Sequence, residues 1–319
     1  MTNYIIQRLL QALIVLVIVT LIVFFVMRLL PGDPLLIYMA QNTQFETLSQ
    51  EALEQLRHEY GLDKPVMVQY FNWLVNTFQG DFGSSIYYKE KVGKLILQRF
   101  PVTLHLGVLA LMVGIILGIP AGLIAAVRRG KWADKIITPL TYIGVTIPTF
   151  WLGVLMIYAF GLKLSLLPIA GYTSPMTDFW MSTKQVIMPV ICLAVFGLAG
   201  NARQMRSSML EVIQQDYIRT AWAKGLHERY IIIKHALKNS LIPIITLLGM
   251  GVSMVFGGSV IVETVFAIPG IGRLAISSTF GQDYVVVQAV TFIMTSIVLL
   301  CNLLVDISYA WIDPRIRYG

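Results

Sequence analysis

The chain is organised as long stretches without charged residues, separated by shorter charged segments. Six such stretches contain between 18 and 28 residues, and a transmembrane helix needs about 20 apolar residues. The strands of a membrane barrel would instead alternate apolar and polar positions. We therefore predict an all-α integral membrane protein with six transmembrane helices. The stretches lie between Arg8 and Arg28, Arg99 and Arg128, Lys135 and Lys163, Lys184 and Arg203, Lys238 and Glu263, and Asp283 and Asp306.

The fourth stretch is the shortest, with 18 residues. We expect its helix to continue past Arg203 and Arg206 on the aqueous side, with both side chains extending towards water.

Small residues and prolines mark particular spans. Gly114, Gly118 and Gly122 are spaced by four and share one face of the second span, which predicts close approach of a neighbouring helix. Prolines interrupt the second, third and fourth spans, and each frees a backbone carbonyl that needs another partner. Together they favour a bundle that moves and encloses a polar pathway. These prolines are Pro120, Pro148 and Pro189.

Composition agrees with a membrane protein. The chain is 56% hydrophobic and 13% charged, with a mean hydropathy of +0.73, whereas soluble proteins carry about 25% charged residues. The formal charge of +7 indicates basic loops facing anionic lipid headgroups rather than nucleic acid. Cys192 and Cys301 lie inside apolar stretches, which favours buried thiols over a disulfide or a metal site.

The distribution of Lys and Arg predicts the orientation. With six spans, 14 of these residues lie on the side of both termini, and three lie in the two short loops opposite. Basic residues concentrate on the cytoplasmic side, so both termini and residues 203–240 are predicted to be cytoplasmic. The first apolar stretch is too long for a signal peptide and lacks a cleavage site, so we interpret it as a retained span.

Residues 31–100 are predicted to form an extracytoplasmic segment with two short amphipathic helices. The first follows capping-box spacing at 47–50 and places Leu53, Leu56 and Tyr60 on one face. The second repeats this pattern up to Gly80, with its apolar face formed by Tyr70, Phe71, Leu74 and Phe78. A lid or docking surface is the first interpretation, and direct substrate contact is the alternative.

The spans offer little chemistry of their own. His105 is predicted near an outer end and Asp306 near an inner end, and no ionisable residue is predicted at mid-membrane depth, where proton-coupled transporters carry them. The sequence has no phosphate-binding loop of the G-x-x-x-x-G-K-[ST] type and no protease motif. The four histidines are scattered along the sequence, so no metal site is predicted. This pattern predicts a moving pathway whose energy source is a partner protein.

The longest polar, basic segment in the second half of the chain runs from Asp216 to Pro243. Its pattern predicts one helix up to Gly225, a short turn, and a second helix up to Asn239-Ser240. Met209, Val212, Ile213, Tyr217, Ala221 and Gly225 follow helical spacing along one side. Small Ala221 and Gly225 would let a partner approach the backbone. An interfacial helix that only anchors to lipid is the alternative.

Local signals predict how this segment turns. Gly225 before Leu226 suits a helix C-terminus with glycine in the left-handed conformation and an apolar contact after it. Asn239 and Ser240 are expected to cap the fifth span, and Pro243 fits its first turn.

This segment resembles the cytoplasmic coupling loop of bacterial ABC importer permeases, the "EAA" motif. The motif contains Glu-Ala-Ala, then a Gly and a later Leu-Pro; the corresponding residues here are 220–222, Gly225 and Ile242-Pro243. The peptide branch reads close to D-Y-x-R-T-A-x-A-K-G, which 216–225 match almost throughout, with Trp222 where Arg or Lys is common. The resemblance implies ATPase-coupling roles for Asp216, Tyr217, Arg219, Thr220, Ala221, Trp222, Gly225, Leu226 and Pro243.

The resemblance extends over the whole chain and is specific to the first permease subunit of the dipeptide/oligopeptide/nickel family. Further matching motifs follow the first span, the amphipathic segment and the fifth span, and one closes the chain at 313–318. The family-motif residues singled out are Pro31, Gly32, Asp33, Pro34, Gly258, Ser259, Glu263, Pro269 and Gly270.

The resemblance implies a multi-subunit importer. Two different permeases would pair in the membrane, two ATPase subunits would bind beneath and hold ATP and Mg, and an external solute-binding protein would deliver substrate. The implied organisation has a first transmembrane helix at 1–30, an extracytoplasmic segment at 31–100 and a five-helix permease core at 101–319, including the coupling loop 203–240. This chain itself would hold no cofactor and catalyse no reaction.

Two questions stay open at this point. A passive channel or secondary transporter is the alternative to an ATP-driven permease, and co-purification with an ATPase would separate them. Peptides are the first substrate choice, while nickel, a metal chelate and glutathione are the alternatives.

Overall fold

The computed structural model describes residues 2–29, 54–55, 57–58 and 63–312, and these are helical over most of their length. Outside the helices, Ser84 and Lys91 form an isolated antiparallel bridge. The helices are α1 (Thr2–Leu29), α2 (Val66–Phe78), α3 (Val92–Val127), α4 (Trp132–Thr146), α5 (Thr149–Met156), α6 (Phe179–Ile213), α7 (Asp216–Ala223), α8 (Glu228–Tyr230), α9 (Lys238–Ser240), α10 (Ile242–Val265), α11 (Ile271–Phe280) and α12 (Tyr284–Ile312), with π-helical Ile157–Lys163 after α5 and Ile231–Leu237 before α9.

Five helices in the described part are long and apolar enough to cross a membrane, and a sixth crossing is counted when one bent pair is taken as a single span. The bent pair joins α4 to α5 and its π-helical continuation at an angle of 105°. The prediction of six spans therefore holds only with this pair included. The straight spans are Ile6–Leu29, Val92–Val127, Phe179–Ile213, Ile242–Val265 and Tyr284–Val305.

Of the three prolines expected to interrupt spans, Pro148 alone breaks one. It precedes α5 as its N-cap residue, and the preceding Ile147 has extended backbone angles, as the residue before a proline prefers. Pro120 and Pro189 lie inside α3 and α6, which continue through them. The prediction of an interruption at Pro120 and Pro189 was wrong, because long helices accommodate single prolines when neighbours stabilise them.

The chain divides into two compact units. One comprises residues 1–102 and 269–300, and the other comprises residues 103–268 and 301–319. In the first unit, the start of α3 packs with α11 and the start of α12. Its buried core contains Val92, Leu95, Ile96, Ile271, Leu274, Val286, Ala289 and Val290.

A buried carboxylate fixes the loop before α3 in the first unit. Asp283 precedes α12 and is almost fully buried. Its Oδ2 accepts hydrogen bonds from the Ser85 hydroxyl and, at 3.1 Å, from the Tyr87 amide. Its Oδ1 accepts from the Val286 amide at 3.3 Å. Burial nevertheless raises the pKa of this carboxyl above its ordinary value.

The second predicted amphipathic helix is confirmed as α2, which ends just before Gly80. Its Tyr70 is buried against α1, where its ring lies 5.2 Å from the Phe24 ring and its hydroxyl lies 3.1 Å from the Thr20 hydroxyl. Phe71 and Phe78 are exposed, so the predicted apolar face is only partly correct. The first predicted helix, with Leu53, Leu56 and Tyr60, lies outside the described residues.

The glycine face of the second span is confirmed in the second unit, where α3 crosses α6. A Cβ atom at Gly118 would lie 2.7 Å from the Leu198 carbonyl oxygen, and one at Gly122 would overlap the Ala202 carbonyl oxygen. The Asn201 side-chain amide donates to the Gly114 carbonyl oxygen at 3.1 Å. Two helix backbones can approach this closely only without side chains between them. Cys192 is a buried free thiol, as predicted, whereas the free thiol of Cys301 is only partly buried.

Candidate functional site

The segment after α6 is where the predicted coupling residues lie. Helix α6 ends at Ile213, a turn at Gln214 and Gln215 follows, and α7 then runs to Ala223. This confirms the predicted sequence of a helix, a turn at Gly225 and a second helical stretch from 228 to 240.

The backbone at the end of α7 forms a complete C-terminal capping motif. The Gly225 amide donates to the Trp222 carbonyl oxygen at 2.9 Å, and the Leu226 amide donates to the Ala221 carbonyl oxygen at 3.4 Å. Gly225 has a φ of 73°. These two bonds with a left-handed glycine define the Schellman motif. The predicted conformation of Gly225 is thus confirmed, whereas Leu226, expected to make an apolar contact, is 40% exposed.

One side of α7 packs into the protein. Ile218 and Ala221 are buried in a hydrophobic cluster with Met205 and Met209 of α6 and Ile231 of the following π-helix. The prediction that Ala221 faces a partner was therefore wrong. It assumed one unbroken helix from Met209 to Gly225, but the turn at 214–215 changes the phase of the helical repeat.

The other side of α7 is exposed. Asp216 and Arg219 lie 3.5 Å apart with exposed fractions of 97% and 69%, and Trp222 is exposed as well. Thr220 is exposed, with its hydroxyl donating to the Asp216 carbonyl oxygen at 2.9 Å. Tyr217 is exposed rather than part of the buried face, and its hydroxyl accepts from the Asn239 amide at 2.8 Å. This side presents an acid, a base and an indole ring to the surroundings.

Gly225 lies at the edge of this exposed side. Apart from Gly225 and its two chain neighbours, no atom of the described protein lies within 4 Å of the position that a Cβ would take there. The backbone conformation therefore accounts for the glycine, and no packing contact from the described residues does. A partner can approach the backbone at this position.

The start of α10 differs in part from the prediction. Pro243 lies in its first turn, as expected. Asn239 and Ser240 do not cap it: Asn239 donates to Tyr217, and Ser240 donates to the Ala236 carbonyl oxygen at 2.9 Å. Both residues lie within helical backbone, in α9, and the Asn239 side chain also donates to the His235 carbonyl oxygen at 3.1 Å, so neither side chain caps α10.

An ion pair that the sequence does not predict joins α6 to α4. Arg206 donates from Nε and Nη2 to the two carboxylate oxygens of Asp134 on α4, at 2.7 and 3.1 Å. Asp134 also accepts from the Gly130 amide and the Thr138 hydroxyl. Helix α6 continues past Arg203 and Arg206, as predicted, but Arg206 pairs with a buried carboxylate instead of extending into water. The two partners lie 72 positions apart, and a single sequence gives no signal for this.

The family-motif residues that the structure describes lie on α10 and directly before α11. Gly258 and Ser259 lie on α10, where the Ser259 hydroxyl donates to the Phe256 carbonyl oxygen at 2.8 Å. Glu263 lies on the same helix, is fully buried and accepts from the Thr103 hydroxyl at 2.6 Å. Its burial was not predicted. Pro269 and Gly270 precede α11, and residues 31–34 lie outside the described part.

The second unit contains a cavity of about 670 Å³ between α3, α6 and α10. Its wall is mostly apolar, and polar groups are supplied by Asn201, Arg203 and Gln204. Gly197, Gly200 and Gly257 line it with nothing within 4 Å of their Cβ positions. In the described part of the chain, no group of three His, Cys, Asp or Glu residues is arranged to hold a metal ion.

Comparison with known families decides the class. Residues 118–318 match the family described as "Binding-protein-dependent transport system inner membrane component", and residues 1–107 match its N-terminal family. The chain belongs to this family. It is thus an ABC importer permease.

Curated relatives of this permease match it over its full length. It is 40% identical to the oligopeptide transport system permease protein AppB of Bacillus subtilis, with all of both chains covered. It is 40% identical to a putative peptide transport system permease protein of Brucella abortus, again over all of both chains. It is 37% identical to a probable peptide ABC transporter permease protein of Sinorhizobium fredii, with 99% of each covered.

A solved structure shares the fold of the permease. A chain of the MetNI methionine ABC transporter, in an inward-facing conformation, superposes with a TM-score of 0.56. The match covers 69% of this permease and 96% of that chain, at 19% sequence identity. This likeness supports the ABC importer permease fold.

Proposed function

We propose that this permease carries peptides across the membrane in one direction, driven by ATPase subunits that dock on the exposed side of α7 and the turn at Gly225. The geometry of that segment carries the proposal. Its inner side is tied into the protein through Ile218 and Ala221, while its outer side exposes Asp216, Arg219 and Trp222. Because α7 packs against α6, a movement of α7 caused by a partner would also move α6.

The proposed orientation places both termini and residues 203–240 in the cytoplasm, where ATP is available. The excess of Lys and Arg on that side supports it. Residues 1–30 would then form the first span, residues 31–100 an extracytoplasmic segment and residues 101–319 the permease core.

The proposed complex contains a second permease subunit, two ATPase subunits that bind ATP and Mg, and an extracytoplasmic solute-binding protein. Family membership supports partners of these kinds. Two ATPases and two different permeases give each ATPase one coupling segment to contact. In this scheme ATP binding brings the ATPases together, the coupling segments move with them, and the permeases open outward to receive substrate.

Peptides are proposed as substrates because the curated relatives carry peptide transport in their names. The cavity of the second unit supports this choice, since its mostly apolar wall with few polar groups suits a varied backbone-rich molecule better than a bare ion. Nickel, a metal chelate or glutathione is the alternative substrate, delivered by the same permease action.

The test replaces Gly225 with Trp in the complete transporter. A Cβ at this position meets no described residue beyond the two chain neighbours, and the Trp ring would occupy the space proposed for the ATPase. We expect Gly225→Trp to remain in the membrane, to lose co-purification with the ATPase and to lose uptake of labelled peptide. Gly225→Asn is the matched control, because Asn tolerates the left-handed conformation and is small.

Normal peptide uptake by Gly225→Trp would contradict docking at this position. Uptake that continues in vesicles without ATP would contradict ATP-driven transport and favour a passive channel.

A further inference from the structure

The first unit contains a cavity that the transport function leaves unassigned. It measures about 520 Å³ and is enclosed by the end of α1, by α2, by the loop before α3 and by the start of α12. Its wall is polar and apolar in similar measure, unlike the cavity of the second unit. The residues that matter for its chemistry are Arg28, Asp81, Lys64, Trp73 and Gln288.

The cavity lies at the level of a membrane surface. Arg28 is in the last turn of the span Ile6–Leu29, and Tyr284 is the first residue of the span Tyr284–Val305. Both line the cavity. The end of one span and the start of another therefore meet at one membrane face, where Trp, Tyr and Arg side chains characteristically contact lipid headgroups.

Two hydrogen-bond donors at this cavity have no partner among the residues that the structure describes. Gln288 is 4% exposed and its Nε2 atom is unbonded, and the Nε1 atom of Trp73 is buried and unbonded as well. Burying a donor without a partner destabilises the protein, because the donor loses its hydrogen bond to water. Both side chains line the cavity, so an acceptor-rich ligand placed there would satisfy them after small side-chain adjustments.

Arg28 supplies a cation without a carboxylate partner among the described residues. Its Nη2 and Nε donate to the Gln69 side-chain oxygen at 2.6 and 3.2 Å, and its guanidinium lies 3.5 Å from the centre of the Phe24 ring. A neutral amide and an aromatic ring hold the guanidinium in place but leave its charge uncompensated. Such a fixed guanidinium is suited to a phosphate.

The cavity also contains an acid. Asp81 lines the same wall, where its Oδ1 accepts from the Gly83 amide at 3.0 Å. Arg28 and Lys64 suit a phosphate and Asp81 suits an ammonium group, so a ligand with both groups would complement both signs of the lining.

We infer that this cavity binds the headgroup of a phospholipid with an amine, such as phosphatidylethanolamine. Its phosphate contacts Arg28 and the two unbonded donors, and its ammonium contacts Asp81. The acyl chains lie along the apolar surface of α1, whose Ile22 and Val26 are exposed. The bound lipid completes the hydrogen bonds of a wall that the protein alone leaves unsatisfied.

Native mass spectrometry of the purified full-length chain in the assembled transporter tests this. After delipidation, the protein is titrated with phosphatidylethanolamine, phosphatidylglycerol or diacylglycerol of identical chains, and with soluble glycerophosphoethanolamine. We expect phosphatidylethanolamine to be retained best and diacylglycerol least. Equal retention of diacylglycerol, or equal occupancy by glycerophosphoethanolamine at the same concentration, would overturn a lipid headgroup site.

Variants assign the contacts. Arg28→Gln, Trp73→Phe and Gln288→Met should each weaken phosphatidylethanolamine retention about tenfold, the value of one hydrogen bond to a charged group. Asp81→Asn should remove the preference for phosphatidylethanolamine over phosphatidylglycerol. Arg129→Gln and Trp180→Phe are matched exposed controls that do not line the cavity and should retain lipid as the unmodified protein does.

Stability measurements separate binding from folding. Gln288→Met removes an unbonded buried amide, so the melting temperature of the lipid-free protein should stay the same or rise. A fall in that temperature together with unchanged lipid retention would show that Gln288 serves the fold, and would overturn the proposal.

Discussion

The crossing of α3 and α6 and the segment after α6 use glycine for opposite purposes. At the crossing of α3 and α6, Gly118 and Gly122 have no side chain because another backbone lies against them. At the end of α7, Gly225 has no side chain because its φ of 73° favours glycine, and a Cβ there would meet no other described residue beyond its chain neighbours. Close packing therefore requires glycine at 118 and 122, whereas the backbone conformation favours it at 225.

The charged residues of the two regions differ in the same way. Arg206 of α6 forms a bidentate ion pair with buried Asp134. Arg219 of α7 lies 3.5 Å from an almost fully exposed Asp216. The charged groups of α4 and α6 therefore satisfy one another, whereas those of α7 are left exposed. The difference separates residues that serve the fold from residues that can serve a partner.

The largest expected effect comes from filling the helix crossing. Gly122→Leu places a side chain where the Ala202 carbonyl oxygen lies, so α3 and α6 must separate. We expect a loss of about 3 kcal/mol or more in the free energy of unfolding, because a backbone cannot move aside as a side chain can. Thermal unfolding of the detergent-solubilised protein measures it.

A glycine of α6 provides the matched control for the crossing. A Cβ at Gly200 would meet no described atom within 4 Å outside the adjacent backbone of its own helix, so Gly200→Ala should be neutral or stabilising by up to about 1 kcal/mol. Equal stability of Gly122→Leu and Gly200→Ala would contradict the close approach at Gly122.

The second largest effect comes from breaking the buried ion pair. Asp134→Ala leaves Arg206 without its carboxylate and the Gly130 amide without its acceptor. We expect a loss of about 2–3 kcal/mol in the free energy of unfolding, somewhat below a fully buried pair because Arg206 is partly exposed. Thermal unfolding in detergent checks this value.

The double variant Asp134→Ala/Arg206→Ala separates the pair from its parts. Since it removes the uncompensated charge, it should recover part of the stability that Asp134→Ala loses. A double variant whose loss equals the sum of both single losses would show that the two groups do not interact.

In these two regions, the sequence predicts the features that form within a single helix or turn. Gly225 before Leu226 is a short-range signal, and the left-handed turn was predicted from it. The spacing of Gly114, Gly118 and Gly122 is periodic within one helix, and the close approach was also predicted. Features that depend on one element can be recognised in one sequence.

Features that join distant elements could not be predicted in this way. Asp134 lies within a basic loop sequence, and its partner lies on another helix, so neither suggests the other. Whether Ala221 is buried or exposed depends on the turn at 214–215. The apolar spacing in the sequence continues through this turn and gives no sign of it. The cavity around Arg28 and Gln288 is formed by residues from opposite ends of the chain.

A smaller effect is expected at Gly225. Gly225→Ala retains the exposed side of α7 but forces a Cβ into the left-handed region, which costs about 1–2 kcal/mol. Gly225→Asn should cost less, because Asn adopts this conformation more readily. Thermal unfolding of both variants measures the difference, and an equal loss in both would show that packing and not φ determines this position.

The smallest effect on stability is expected at Arg219. Its side chain and that of Asp216 are exposed, and such pairs contribute little to folding, so Arg219→Ala should leave the melting temperature unchanged within about 1 °C. Arg219→Glu should do the same while reducing co-purification with the ATPase, because it reverses a charge that faces the partner. A melting temperature several degrees lower in either variant would place Arg219 with Arg206 among the residues that serve the fold. Unchanged ATPase binding by Arg219→Glu would remove this side chain from the proposed docking surface.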